Sequence, residues 1–345
     1  MSTQNEPETA SRANTVEEMT YRQAIRTALA DELRTDDRVI LLGEDIAAAG
    51  GSFKTTEGLL DEFGPERVID TPISENGFVG AALGMAVTGL RPVVEIMFAD
   101  FLLSASDAII NEIAKFRFMS GGQTVTPVTI RAIGGATGRF GTQHSATGES
   151  WYLQTPGLKV AAASSPAAAY GLLRAAIRTN DPVIFLEHKG MYAQKGLVDR
   201  ALPLPHVGRA EIVRSGSDIT IVATLLMVSR ALQAAEKLAA EGIDAEVIDL
   251  RWIMPLDLDT ITGSISRTDR LVIVEEQVHA GGWGATVISS LAQQGLPRRS
   301  RPRAVSMPHA PIAFSPVLED AAVPDADRIA AAARAAARRG EITRL

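Results

Sequence analysis

The sequence contains no cysteine, which removes disulfides, thiolate metal ligands and cysteine nucleophiles together. It also lacks a long apolar run. The longest, residues 219–228, is broken by Thr220 and Thr224 and is too short to span a bilayer, so no membrane partner is expected. A phosphate loop and the G-x-S-x-G elbow of serine hydrolases are both absent. The glycine-rich stretches at 134–141 and 279–284 do not have dinucleotide-fingerprint spacing, so a Rossmann-type nicotinamide site is not expected. Positive charge is in deficit: the net charge is -7 and the pI about 5.4, which gives no footing for nucleic acid. Histidines are few, and no two of His144, His188, His206, His279 and His309 have the close helical spacing of a zinc site. The first 18 residues are polar and acidic without an apolar core. They read as a flexible tail and not as a signal or transit peptide, which predicts a cytoplasmic protein.

What remains is an ordinary globular composition, 46% apolar and 22% charged, in a chain of 345 residues, long enough for two cores. Apolar runs and helical periodicity alternate from Met19 onward. They predict strands over 39–42, 67–70, 91–98, 127–133, 158–162 and 182–187, separated by helices over 19–34, 56–63, 76–88, 100–119 and 166–179. Residues 194–209 carry Pro203 and Pro205 with little periodicity and read as a linker. The alternation then restarts and ends in an alanine- and arginine-rich helix over 325–339. The expected fold is therefore α/β: a doubly wound domain over 19–193, a linker, and a smaller α/β domain over 210–345.

Loops at the carboxyl edge of a parallel sheet face a crevice, so residues at strand ends are the first candidates for chemistry. Glu75 stands at such a strand-to-helix junction in DTPISENG. One reading is that Ser74 caps the helix and Glu75 complements its positive end. Another is that a carboxylate set among Pro72, Ile73, Phe78, Val79 and Phe101 shares a proton with a ring nitrogen of a ligand. His144 ends the loop GGATGRFGTQHS, where it either bridges loop backbone or faces a ligand. Glu44, Asp45, Asp100 and Glu187 are the remaining strand-end carboxylates.

Taken together, GEDIAAAGGSFKTTEGL, DTPISENGFVGAALGMAVTGLRPVVEIMFADF, FMSGGQ, TQHS, PGLKV, AAIRTNDPVIFLEHKGMY and IDLRWIMPLD resemble the beta subunits of thiamine diphosphate-dependent 2-oxo acid dehydrogenases. That family includes the pyruvate, branched-chain 2-oxo acid and acetoin dehydrogenases, and the resemblance runs over residues 19–319. It implies a transketolase-like pyrimidine-binding domain followed by a transketolase C-terminal domain. By position, it implies that Glu75 hydrogen-bonds the N1′ nitrogen of the aminopyrimidine ring and drives its imino form. Ile73 and Ser74 would line the same pocket, Met97 and Phe101 would pack the ring, and Glu44 would lie near the cofactor. His144 matches the histidine that stabilises the substrate carboxylate or intermediate and assists acyl transfer to lipoamide. A structural potassium ion is implied on backbone carbonyls of Val128, Ala176, Ile177, Thr179 and Asp181, although several members carry aspartate where this chain has Thr179.

No GDG motif occurs in the chain. The resemblance therefore implies that magnesium and the diphosphate are held by an alpha subunit, in an α2β2 heterotetramer with thiamine diphosphate between chains. It further implies docking onto a lipoyl-bearing acyltransferase core. The implied reaction is decarboxylation of a 2-oxo acid, pyruvate foremost, with reductive acylation of lipoamide. Acetoin cleavage is the alternative, because EIMFADF and FLEHKGMY also suit acetoin dehydrogenases. A non-enzymatic assembly scaffold is the third reading, against which the presence of both Glu75 and His144 argues.

Overall fold

Buried apolar runs set the architecture of the chain, seen in a computed structural model that describes residues 15–295 and 301–337. In chain order the strands are β1 (Val16–Thr20), β2 (Val39–Gly43), β3 (Val68–Asp70), β4 (Arg91–Met97), β5 (Thr129–Gly134), β6 (Lys159–Ala162), β7 (Val183–His188), β8 (Lys195–Asp199), β9 (Glu211–Arg214), β10 (Ile219–Ala223), β11 (Ala245–Asp249), β12 (Trp252–Met254), β13 (Leu271–Val278) and β14 (Arg303–Met307). The α-helices are α1 (Tyr21–Thr35), α2 (Leu59–Phe63), α3 (Glu75–Val87), α4 (Ala114–Met119), α5 (Pro166–Arg178), α6 (Leu226–Ala239), α7 (Leu258–Thr268), α8 (Trp283–Gln293), α9 (Pro316–Ala322) and α10 (Ala326–Ala337).

Strands such as β5 and β7 are buried along their whole length, as a sheet covered on both faces requires. They belong to a seven-stranded sheet of order β12-β6-β7-β5-β4-β2-β3, in which all but β12 run parallel. A second sheet has the order β14-β13-β10-β11-β9, with β9 antiparallel at its edge. The two halves share a core: Leu102, Tyr152 and Val160 of the first pack in one cluster with Val222, Ile248 and Trp283 of the second. A polar seam reinforces it. The buried Glu149 accepts from the Trp283 indole at 2.7 Å and the Thr224 hydroxyl at 3.0 Å, and burial pushes its pKa up to about 8.

Four expectations need correction. Residues 16–18 of the expected tail and 195–199 of the expected linker are strands, and β1 pairs antiparallel with β8. Residues 1–14 of the tail lie outside the described residues. The long helix expected over 100–119 is three pieces: a 3₁₀ turn at Ala99–Leu103, a π-helical stretch at Ala108–Ile113, and α4. Distant partners take the backbone groups a straight helix would use, since the Tyr152 hydroxyl donates to the Leu102 carbonyl and Asn76 Oδ1 accepts the Ala108 N–H. Finally, β12 crosses from the second half of the chain to extend the first sheet, and the described part of the last helix ends at Ala337, leaving 338–339 of the expected helix outside the described residues.

Candidate functional site

The carboxyl ends of β2, β3, β4, β5 and β7 all point to one edge of the first sheet, and the loops leaving them carry the candidate residues. Because β4 lies between β2 and β5, the segment from Met97 to Phe101 separates a carboxylate corner from a histidine loop.

The carboxylate corner follows β2 and β3. Gly43 closes β2 where a side chain would stand 2.7 Å from the Glu95 carbonyl, so only glycine fits. Glu44 comes next and is half-buried. Its Oε1 is buried and has no hydrogen-bond partner among the described residues. Burial is the first cause that raises the Glu44 pKa, and repulsion from Glu75 and then Asp45 adds to it. Glu44 and Glu75 thus face the same corner. Thr71 Oγ1 is a second buried oxygen there with no partner. Glu75 is the first residue of α3, and Phe78 and Val79 bury the inner face of that helix. Ser74 holds the N-cap position, but its side chain makes no cap hydrogen bond, which corrects the capping expectation. Pro72 and Ser74 are exposed, and Ile73 is 84% exposed, an apolar lip that none of the described residues covers.

The histidine loop leaves β5 and ends in a 3₁₀ turn, Thr142–His144. The His144 ring stands edge-on to Phe98 at 4.8 Å and to Phe101 at 5.5 Å between centroids. Phe98 in turn contacts Phe53 and Phe140, each at 5.8 Å. Lys189, the residue after β7, donates from Nζ to the His144 carbonyl and sits 4.9 Å from the Phe140 ring centroid. Burial lowers the Lys189 pKa to about 8, while Asp100, Glu276 and Glu319 pull the other way. Asp100 is raised, chiefly by burial, and accepts from the Ala146 amide at 3.3 Å. A cation, a carboxyl and an imidazole therefore converge on one apolar-walled spot. Reading the sequence did not single out Lys189, Phe98 or Phe140. The strand-end rule that picked Glu187 would have reached Lys189 two residues on.

Other candidates lie elsewhere. Glu187 is not at the edge. It is buried with Arg131 at 2.6 Å, Arg131 also pairs with Glu95 at 2.5 Å, and the Tyr192 hydroxyl donates to Glu187 at 2.9 Å. This network ties β4, β5 and β7 together beneath the loops. His188 is buried too, and its Nε2 lies 2.9 Å from Glu276 of β13.

At the positions expected to hold potassium, the carbonyls of Val128, Ala176, Ile177 and Thr179 each accept a hydrogen bond. Arg91 Nη1 donates to the carbonyls of both Ile177 and Thr179 at 3.0 Å, the Ala176 carbonyl takes the Thr179 amide and the Val128 carbonyl the Val183 amide. The Asp181 carboxylate is bound to Arg117 and Lys159. The Arg91 guanidinium thus supplies positive charge to two of these five carbonyls, Ile177 and Thr179. Among the described residues no group of three or more His, Asp or Glu could hold a metal ion, and no helix is long and apolar enough to cross a membrane.

The family description Transketolase, pyrimidine binding domain matches residues 17–195, and Transketolase, C-terminal domain matches residues 208–329. The chain is 44% identical over 325 residues to the pyruvate dehydrogenase E1 component subunit beta-2, mitochondrial, of Oryza sativa subsp. japonica, covering 92% of this chain and 86% of that protein. It is 45% identical over 327 residues to the acetoin:2,6-dichlorophenolindophenol oxidoreductase subunit beta of Cupriavidus necator, covering 92% and 96%. Among solved structures, a split gene transketolase described as an inactive beta4 tetramer superposes with a TM-score of 0.73 at 25% identity, covering 92% of this chain and 98% of that one. With both transketolase-type domains in place and such identity across nearly its whole length, this chain belongs to the beta subunits of the 2-oxo acid dehydrogenase E1 components.

Proposed function

We propose that this chain forms the pyrimidine-binding half of a thiamine diphosphate site completed by an alpha subunit, and that the pair decarboxylates a 2-oxo acid and passes the acyl group to lipoamide in the cytoplasm. The observation that carries this reading is the carboxylate corner, where an unpartnered, half-buried Glu44 faces Glu75 beside an exposed apolar lip. Buried acceptors without donors are costly, so such a corner suits a ring that brings N–H groups. An aminopyrimidine does so.

When bound, thiamine diphosphate would supply an acidic thiazolium C–H as the source of a carbon nucleophile. The protein's part is orientation and proton control. Glu75 would hydrogen-bond the pyrimidine N1′, and Glu44, whose own pKa is raised by burial and by repulsion from Glu75, stands beside it. Ile73 and Ser74 line the mouth, while Met97 and Phe101 offer the apolar wall. His144, held edge-on by Phe98 and Phe101, faces the reacting end, and the Lys189 ammonium adds positive charge where a substrate carboxylate arrives. Magnesium and the diphosphate belong to the alpha subunit in an α2β2 assembly, because the chain has no GDG motif. The second domain would face the lipoyl-bearing acyltransferase core.

Pyruvate and acetoin are separated by assay. The 45% identity to an acetoin oxidoreductase subunit keeps acetoin as a second substrate reading. The test is to co-express the chain with an alpha subunit bearing GDG and compare turnover of pyruvate, branched-chain 2-oxo acids and acetoin. Turnover of one class well above the others assigns the substrate. A pair that assembles but turns over none of them returns the chain to the scaffold reading.

A further inference from the structure

The loop that carries His144 is closed at its ends by the Gly135 amide donating to the Ala146 carbonyl and is tied to Lys189 and Asp100, but residues 137–139 are held from elsewhere. Thr137 and Arg139 both have positive φ, 71° and 59°, a region that side chains with a Cβ rarely occupy and that persists only where the surroundings enforce it. What enforces it comes from the other half of the chain. Glu319 of α9 is fully buried, and its Oε1 accepts the Thr137 amide at 2.9 Å. Its Oε2 takes Arg139 Nη1, and Arg139 Nη2 reaches both oxygens of Asp320 at 2.8 and 2.9 Å. Glu276 of β13 accepts the Ala136 amide at 2.6 Å, and the Thr142 hydroxyl donates to the Ile312 carbonyl at 2.9 Å. Rings pack against Phe140 and His144 on one side of the loop, but the other side is open. A cleft of about 570 Å³ opens behind the loop, between Thr142 and Thr147 on one side and Gln277, Met307 and Ile312 on the other.

We propose that Glu319, through the Thr137 amide and the Arg139 guanidinium, is a positioning residue for His144, so that the second domain decides where the imidazole stands. In giving His144 a part in the reaction, this inference rests on the function proposed above, whereas the clasp itself does not. Two strained residues and a void behind the loop mean that, once Glu319 is cut, the backbone relaxes away from Phe98 and Phe101. Charge-assisted bonds of this kind, lost from a buried site, correspond to about a ten- to hundredfold change in a local opening equilibrium.

The test uses the full chain labelled on its five histidine rings, with amide hydrogen exchange read over residues 135–148. E319A is expected to raise exchange there at least about tenfold and to move the His144 ring signal, leaving the signals of His206 and His309 in place. E319Q keeps an acceptor for Thr137 and is expected to fall between E319A and the parent. Should E319A not fold, E319Q and R139A carry the same two readouts. Unchanged exchange and an unmoved His144 signal in a folded variant overturn the proposal. So does a shift of all five rings together, which marks global loosening. Turnover is then measured with the alpha partner, using 2,6-dichlorophenolindophenol as oxidant in one assay and lipoamide in the other. The expected result is a larger loss with lipoamide than with the dye, in kcat more than in KM. A loosened loop with normal turnover in both assays overturns the positioning role. If even the parent pair turns nothing over, the clasp stands on the exchange data and the functional reading falls.

Discussion

The carboxylate corner and the histidine loop occupy neighbouring strand ends of one sheet, yet they are finished to different degrees. Around His144 the described residues of this chain supply the contacts: aromatic rings at its edges, Lys189 on its carbonyl and hydrogen bonds from the second domain to its loop. Around Glu75 the chain stops short, leaving two buried oxygens unpartnered and Ile73 in solvent. The difference teaches where each half gets its order. The closed half depends on contacts within the chain, so mutation should disturb it locally; the open half depends on a ring and a second polypeptide, so its part in catalysis is read in the assembled enzyme.

The largest expected effect breaks the open half. E75A should lower exchange of the thiazolium C2 proton in the assembled enzyme by about a hundred- to ten-thousandfold, followed by NMR in D2O, since general acid–base help has that size. In the closed half, H144A should leave cofactor affinity unchanged and lower kcat with lipoamide by about a hundredfold. A loss of cofactor binding instead would merge the two halves into one. E44Q sharpens the contrast. Removing a carboxylate that burial and Glu75 keep hard to ionise should raise the melting temperature of the free chain near neutral pH, yet weaken cofactor binding to the pair by about tenfold, measured by titration.

The smallest effect concerns Lys189, which faces Asp100, Glu276 and Glu319. Its folded pKa of about 8 lies below the ordinary lysine value of 10.5. Between those values the unfolded chain keeps a proton that the folded chain has released, so this group makes stability rise with pH over that window. In the folded chain its charge beside His144 is lost around pH 8. K189M should flatten the stability rise and remove an alkaline decline in turnover near pH 8, a change of a few-fold read from pH profiles.

Much of this was legible in the sequence because it is local. The apolar runs of β2, β4, β5 and β7 and the turn before Glu75 specify themselves, and α3 starts one residue from its expected place. The His144 loop is marked by its glycines. What stayed hidden depends on contacts between distant residues. The break in the helix after β4 follows from Asn76 and Tyr152 taking its backbone groups. The bonds from Arg91 to the Ile177 and Thr179 carbonyls reach across 86 and 88 positions. Likewise β12 has three residues and gains its place only by pairing with β6. The Lys189–Phe140 contact joins two loops that no periodicity connects.

The most direct measurement is equilibrium binding of thiamine diphosphate, with magnesium, to the isolated chain and to the same chain paired with its alpha subunit. A half-built corner predicts affinity at least about a hundredfold tighter for the pair, because each half of the site is short of the partners the cofactor needs. Tight binding by the isolated chain, or substrate turnover without the alpha subunit, would contradict it.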